Sequence, residues 1–309
     1  MIDERPSRYC VIDVGTNSVK LLIAERRPHG SWITTVERAE VTRLGEGIDL
    51  TGAIAPRAME RTVRAVTSMV DEARSLGVQE IAAIGTAGMR MASNAIEVVD
   101  TIRRRTGITI EVISGEEESR LAFLAAHDGL DIGPGDVVVF DTGGGSSQFT
   151  FGSGSKVTER FSLNVGAVRF TETFGLGGAA TVEVVDQALR VIASDLSPLD
   201  HRPTPDSVIA MGGAVASMAA VMRGLASYGG DMIRGSVLVR NEIDRQIRLF
   251  ASMNSKRRRG IVGLQPGREE VILAGACIVR TVLEKLGVDS VTVTDRGLRH
   301  GVMAERFGA

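Results

Sequence analysis

Short unbroken apolar runs alternate along this chain with longer stretches whose apolar positions recur at helical spacing. That is the pattern of buried strands interleaved with amphipathic helices. The runs at Tyr9–Ile12, Val19–Ala24, Ile81–Gly85, Val137–Phe140, Val208–Ala210 and Val291–Thr294 read as strands, with further strands over Ser31–Arg43, Thr109–Ile113 and residues 155–162. Pro56 opens a helix through Leu76, with Met59, Val63, Val66, Met69, Val70 and Ala73 on one face and Gly77 at its end. Helices are also expected over 95–105, 166–174, 181–196, Arg240–Met253, Arg268–Leu286 and Gly297–Phe307. Ser114 with Glu117 is a capping box, so another helix starts there, and Glu116, Glu117 and Glu118 suit its N-terminal dipole. The turn-rich 128–135 (Gly129, Gly133, Pro134, Gly135) reads as a junction between two α/β domains, 1–128 and 129–296.

Two stretches share one grammar. In Tyr9-Cys-Val-Ile-Asp13-Val-Gly15-Thr16-Asn17-Ser18-Val-Lys20 an apolar strand ends in Asp, with Gly two and Ser five residues later, then a second apolar strand. Val137-Val-Val-Phe-Asp141-Thr-Gly143-Gly144-Gly145-Ser146-Ser147-Gln148 repeats it, Asp13, Gly15 and Ser18 matching Asp141, Gly143 and Ser146. A hairpin bend without Cβ atoms presents backbone N–H groups to an anion, the serines add donors, and the Asp can hold a cation. Either copy alone reads equally as a tight surface turn; the pair points to two related phosphate-binding domains. Paired Asp-tipped hairpins of this kind resemble the actin-like superfamily. The resemblance implies two ribonuclease-H-like α/β domains flanking an interdomain cleft, hinged near 126–134. It also implies that the C-terminal helix 297–309 packs back on the first domain.

Composition narrows the function classes. The 309 residues carry a formal net charge of −2, which argues against a dedicated nucleic-acid binder. No apolar run approaches the ~18–20 residues that span a bilayer. Residues 1–8 are polar and charged, unlike a signal peptide. Cys10 and Cys277 lie in apolar stretches, so two buried free thiols and a cytoplasmic location are expected. The four histidines show no metal-ligand spacing. The Gly212-Gly213 turn from strand to helix is either a tight packing turn or a close approach to a ligand. Lys256-Arg-Arg-Arg259 is either solvated surface or a guide for a polyanion.

One ordered set of motifs is more specific. Asp13-Val-Gly-Thr-Asn-Ser18, Thr86-Ala-Gly-Met-Arg90, Ile113-Ser-Gly-Glu-Glu-Glu-Ser-Arg-Leu121, Asp141-Thr-Gly-Gly-Gly-Ser146, Leu163-Asn-Val-Gly-Ala-Val-Arg169 and Gly297-Leu-Arg-His-Gly301 follow one another. Together they resemble the exopolyphosphatase/guanosine pentaphosphatase family (Ppx/GppA) over nearly the whole chain. The resemblance implies Mg²⁺-assisted, or other divalent-assisted, hydrolysis of a terminal phosphoanhydride on inorganic polyphosphate or guanosine pentaphosphate. It places the water-activating base at Glu118 and a catalytic or metal-linked carboxylate at Asp141. Substrate phosphates would meet Gly15, Thr16, Asn17, Ser18, Gly143, Gly144, Gly145, Ser146 and Ser147, with Gly212 and Gly213 nearby and Lys20 and Arg90 as flanking cations. For Lys20 and Arg90, ordinary surface charge is the competing reading. Asp13 and Asp141 would share the cation, with Gln148 offering an amide oxygen where the family commonly has Glu. Many long relatives carry an all-helical C-terminal extension absent here, which favours short chains or the nucleotide. A homodimer is expected by analogy. A second reading is a non-catalytic sensor of polyphosphate or alarmone, supported by Gln148. A third, an actin-like kinase, is disfavoured by the Glu118 motif and by the lack of an evident sugar-binding insertion.

Overall fold

The computed structural model describes residues 7–308 apart from 28–30, 131, 132, 154, 155 and 228. Part of the expected hinge and the first residue of the strand expected at 155–162 therefore lie outside the described residues. The chain divides into two compact units, one of Met1–Ser114 with Leu298–Ala309, the other of Gly115–Gly297.

The first unit is built on strands β1 (Arg8–Val14), β2 (Ser18–Arg26), β3 (Trp32–Val41), β4 (Glu80–Gly85) and β5 (Glu111–Val112), in the order β3-β2-β1-β4-β5. β1 to β3 form an antiparallel meander, and β4 and β5 run parallel to β1. β1 is buried on both faces, which is why its sequence is an unbroken apolar run rather than an alternating one. Cys10, Ile12 and Val14 pack with Val63, Val66, Met69 and Val70 of the helix Pro56–Ser75. On the opposite face Tyr9 stacks on Phe307 of the helix Leu298–Phe307 at 4.7 Å between ring centroids.

The second unit repeats this plan with strands β6 (Asp136–Thr142), β7 (Ser147–Ser153), β8 (Lys156–Leu163), β9 (Ser207–Met211), β10 (Val237–Val239) and β11 (Ser290–Val293). Their order is β10-β11-β9-β6-β7-β8. Without β10, the order β8-β7-β6-β9-β11 matches the first sheet strand for strand, and β9 and β11 again run parallel to the meander's inner strand. Val138 and Phe140 join a core with Ile272–Leu283 of the helix Ile272–Lys285. On the other face Val137, Val139, Ile209 and Met211 pack against Ala122, Phe123 and Ala126 of the helix Gly115–Gly129.

That helix departs from the sequence expectation, which grouped it with the first domain. Its apolar stripe is satisfied by the second sheet, so the division falls at Ser114/Gly115 rather than near 128. Other differences are local. The expected strand at Thr109–Ile113 shortens to Glu111–Val112, because only these two residues pair with Ile84 and Gly85. Between the expected strand at Ile81–Gly85 and the expected helix at 95–105 lies a further short helix, Ala87–Met91. The edge strand β10 has only three residues and left no periodic signal.

The basic run Lys256–Arg259 is split by the fold. Arg258 is fully buried, and its guanidinium donates to the carbonyls of Phe250 (2.8 Å), Leu176 (2.8 Å), Glu269 (3.0 Å) and Gly178 (2.7 Å). Burial pulls its pKa down to about 10, so it stays charged at neutral pH. Arg259 pairs with Glu269 at 2.8 Å, while Lys256 and Arg257 are exposed.

Candidate functional site: two glycine-bearing hairpin bends

The β1–β2 and β6–β7 bends close in the same way. Gly15 N donates to Ser18 O at 3.1 Å, and Gly143 N to Ser146 O at 2.9 Å. In the first bend the carbonyls are tied back to the loop after β3: Gly45 N donates to Thr16 O, and Thr42 N and Arg43 N donate to Asn17 O. A planar trans peptide points its N–H opposite to its C=O. The Asn17 and Ser18 amides are therefore turned away from that loop. In the second bend Ala167 N holds Gly143 O at 3.0 Å and Val168 N holds Gly144 O at 2.8 Å, which turns the Gly144 and Gly145 amides outward likewise. Both bends thus present successive backbone donors on one side, a concavity suited to phosphate oxygens.

The side chains around the first bend add to this. Asp13 sits opposite Lys20 across the ladder, and Lys20 Nζ lies 3.2 Å from Asp13 Oδ2. Lys20 therefore offsets the charge of the bend's own carboxylate. Asp13 Oδ1 and Asn17 Nδ2 are buried without a hydrogen-bond partner among the described residues. A buried unpaired donor is costly, and beside outward amides Asn17 Nδ2 is placed to meet an anion. Gly88 lies against Thr16, where a methyl would come 3.2 Å from Thr16 Cα. This brings the helix Ala87–Met91 to the bend, with Arg90 held by a hydrogen bond from its Nη1 to Ile113 O at 3.0 Å.

The second bend gathers more groups. Asp141 pairs across the ladder with Gln148, and Gln148 with Ser162, so the three side chains form a row on one face of the sheet. It is the face covered by the helix Gly115–Gly129, since Val137 and Val139 share the alternation with Asp141. The first turn of that helix is anchored there: Thr150 Oγ1 donates to Ser119 O at 3.1 Å, and Ser119 Oγ to Phe161 O at 3.0 Å. Thr150 is two residues from Gln148, about 7 Å along the strand. Glu118, only 7 % exposed, thus lies on the Asp141 face of the same unit. Its neighbour Glu117 is held instead by Arg120, in a two-pronged pair at 2.7 and 2.9 Å.

Gly212 and Gly213 lie at this bend because nothing larger fits. A methyl on Gly212, whose φ is +102°, would come 2.6 Å from Asp141 Oδ1 and 2.5 Å from Thr142 O. A methyl on Gly213 would come 2.3 Å from Cζ of Arg268. The guanidinium of Arg268 therefore lies over the strand-to-helix turn beside Asp141. Sequence reasoning missed this cation, since only the missing side chain at Gly213 hints at it. Gly166 was missed too. A methyl there would stand 2.3 Å from both Gly144 O and Gly145 C, so Gly166 lets the following helix hold the bend. Replacing Gly166 by Ala should displace the Gly144 and Gly145 amides and weaken binding of inorganic tripolyphosphate about tenfold or more. Titration calorimetry checks this, with circular dichroism confirming an intact fold.

Among the described residues no group of three or more His, Cys, Asp or Glu side chains is placed to hold a metal ion, and no helix is long and apolar enough to cross a membrane.

Comparison with known proteins places the chain as a whole. The sequence model of the Ppx/GppA phosphatase family matches residues 22–308. Exopolyphosphatase 2 of Mycobacterium tuberculosis is 28% identical over 98% of this chain and 99% of its own length. The guanosine-5'-triphosphate,3'-diphosphate pyrophosphatase of Aliivibrio fischeri is 27% identical over 96% of this chain. The chain spans 59% of that protein and 46% of a bifunctional 3-dehydroquinate synthase/phosphatase from Fusobacterium nucleatum. The crystal structure of the Aquifex aeolicus Ppx/GppA family member superposes with a TM-score of 0.80 at 32% identity, covering 97% of each chain. With its repeated bends, its ordered motifs and a family match over almost its full length, this chain belongs to the Ppx/GppA phosphatase family.

Proposed function

We propose that the chain hydrolyses the terminal phosphoanhydride of inorganic polyphosphate or of guanosine pentaphosphate, releasing orthophosphate. The observation that carries this is the second unit's gathering, at one end of one sheet, of outward amides at Gly144 and Gly145, the Asp141 face covered by the Glu118 helix, and Arg268 over the adjoining Gly212-Gly213 turn. Phosphoryl transfer passes through a loose transition state, so positioning and charge compensation do most of the catalysis. The amides and Arg268 would hold the terminal phosphoryl oxygens. Glu118 would take a proton from the attacking water, whose oxygen bonds to phosphorus as the bridging P–O bond breaks. The relatives named for polyphosphate and for the guanosine nucleotide support both substrate classes.

The donor set fits a divalent cation brought with substrate rather than one held in a protein cage. Mg²⁺ typically keeps several waters and is bound by one or two carboxylates plus phosphate oxygens, and Asp141 offers one such carboxylate. When bound, the ion would neutralise charge on the phosphoryl oxygens. A reducing cytoplasm suits the two buried free thiols, both pushed up to about 12 by burial.

The test is orthophosphate release from tripolyphosphate, long-chain polyphosphate and guanosine pentaphosphate, with Mg²⁺ and with chelator. We expect Mg²⁺-dependent release from at least one of the three. Binding without release from any of the three would support the sensor reading instead.

A further inference from the structure

In the first bend the residue across the ladder from the Asp is a cation that faces it: Lys20 Nζ lies 3.2 Å from Asp13. In the second bend the equivalent residue is Gln148, which has turned elsewhere. Its Nε2 lies 2.6 Å from Ser146 Oγ and 2.9 Å from Ser162 Oγ. A primary amide carries two N–H donors, and both are spent on these hydroxyls. The network is fixed in place, since Gln148 and Ser146 are each only 2 % exposed. A serine hydroxyl has one proton. Because Ser146 Oγ accepts from Gln148, that proton must be directed away from the amide. Ser146 closes the bend, its carbonyl accepting from Gly143 N, so its hydroxyl stands beside the outward amides of Gly144 and Gly145.

We propose that Gln148 is a positioning residue that acts through Ser146: by donating to Ser146 Oγ it sets the serine O–H as a donor to a phosphate oxygen held in the second bend. This rests on the reading of that bend as a phosphate site. The sequence suggested that Gln148 would offer its oxygen to a metal ion. The hydrogen bonds assign the side chain to ordering a neutral donor instead. A carboxylate at the same position could only accept when ionised. It would draw the Ser146 proton to itself and add a negative charge beside Asp141 and the bound anion. The neutral amide therefore lets the second bend take an anion with less help from a divalent cation than a Glu would allow.

The test uses the full chain and inorganic tripolyphosphate, titrated calorimetrically in EDTA and then with Mg²⁺, for wild type, Ser146→Ala, Gln148→Met and the double variant. In EDTA each single variant should weaken binding about tenfold, and the double variant should be no weaker than Ser146→Ala alone. A residue with only a structural role would not give that coupling. Gln148→Glu keeps a hydrogen-bonding side chain of the same size, should Gln148→Met not fold. Its binding should fall more in EDTA than in Mg²⁺. Additive losses in the double variant, unchanged binding in Gln148→Met, or equal losses for Gln148→Glu with and without Mg²⁺ would each overturn the proposal. Failure of the wild type to bind tripolyphosphate in either condition would overturn the phosphate-site reading, and this inference with it.

Discussion

Replacing Glu118 by Gln should lower kcat for orthophosphate release by about 10²–10⁴-fold, the range expected when a general base is removed. Tripolyphosphate should still bind, because Gln keeps the size and polarity of the side chain and the outward amides are untouched. The expectation follows from the placement of the helix Gly115–Gly129. Three carboxylates stand in its first turn, and their environments differ. Glu117 is committed to Arg120 through two hydrogen bonds. Glu116 is exposed at the helix start. Glu118 is buried, on the face of the second sheet that carries Asp141. Steady-state rates should therefore separate the three positions: Gln at 116 leaves kcat within a few-fold, and Gln at 118 nearly abolishes it. A kcat for Glu118→Gln within about threefold of wild type would remove Glu118 from the chemistry.

The largest effect on stability should come from Arg258. Replacing it by Ala should destabilise the second unit by about 3–5 kcal/mol, the scale expected when several buried acceptors lose their donor and a large buried side chain leaves a cavity. Four carbonyls from three separate segments converge on its guanidinium. Removing it takes the donor from the Leu176, Gly178 and Glu269 carbonyls and leaves that of Phe250 only its backbone bond from Met253 N, in a site too closed for ready hydration. Arg258→Lys should rescue little, since one ammonium with three donors cannot reproduce the planar fork. For a unit of this size the loss corresponds to roughly 6–20 °C in the unfolding midpoint, read by thermal melting. Ala at the exposed neighbours Lys256 or Arg257 should change stability by no more than about 0.5 kcal/mol. Equal, small shifts at all three positions would contradict the structural role assigned to Arg258.

What was legible beforehand follows from the range over which each signal acts. The two bends announce themselves because glycine, serine and a strand-ending Asp are local necessities of the turn. The apolar runs of β1 and β6 likewise report burial on both faces of a central strand. The site's support is long-range and left little trace. Gly166 is a buttress only because helix Ala167–Phe174 happens to start against Gly144 and Gly145. Arg268 joins the site through its packing on Gly213, 55 positions earlier by residue number. In Lys256-Arg-Arg-Arg259 nothing local says which arginine turns inward. The helix at Gly115 shows the same limit: its capping signal was readable, but Ala122, Phe123 and Ala126 do not say which sheet they will meet. Gln148 was read by residue type, as an oxygen ligand. Only the positions of Ser146 and Ser162 reveal that its nitrogen is the engaged end.

The central claim is that the second bend and Glu118 form one hydrolytic site. The most direct measurement is ³¹P NMR of tripolyphosphate with Mg²⁺, comparing wild type and Glu118→Gln under conditions where calorimetry shows both to bind. The account expects orthophosphate and pyrophosphate to appear in equal amounts with wild type, and the tripolyphosphate signals to persist with the variant. Equal turnover by both proteins, or persistence of tripolyphosphate with both, would contradict it.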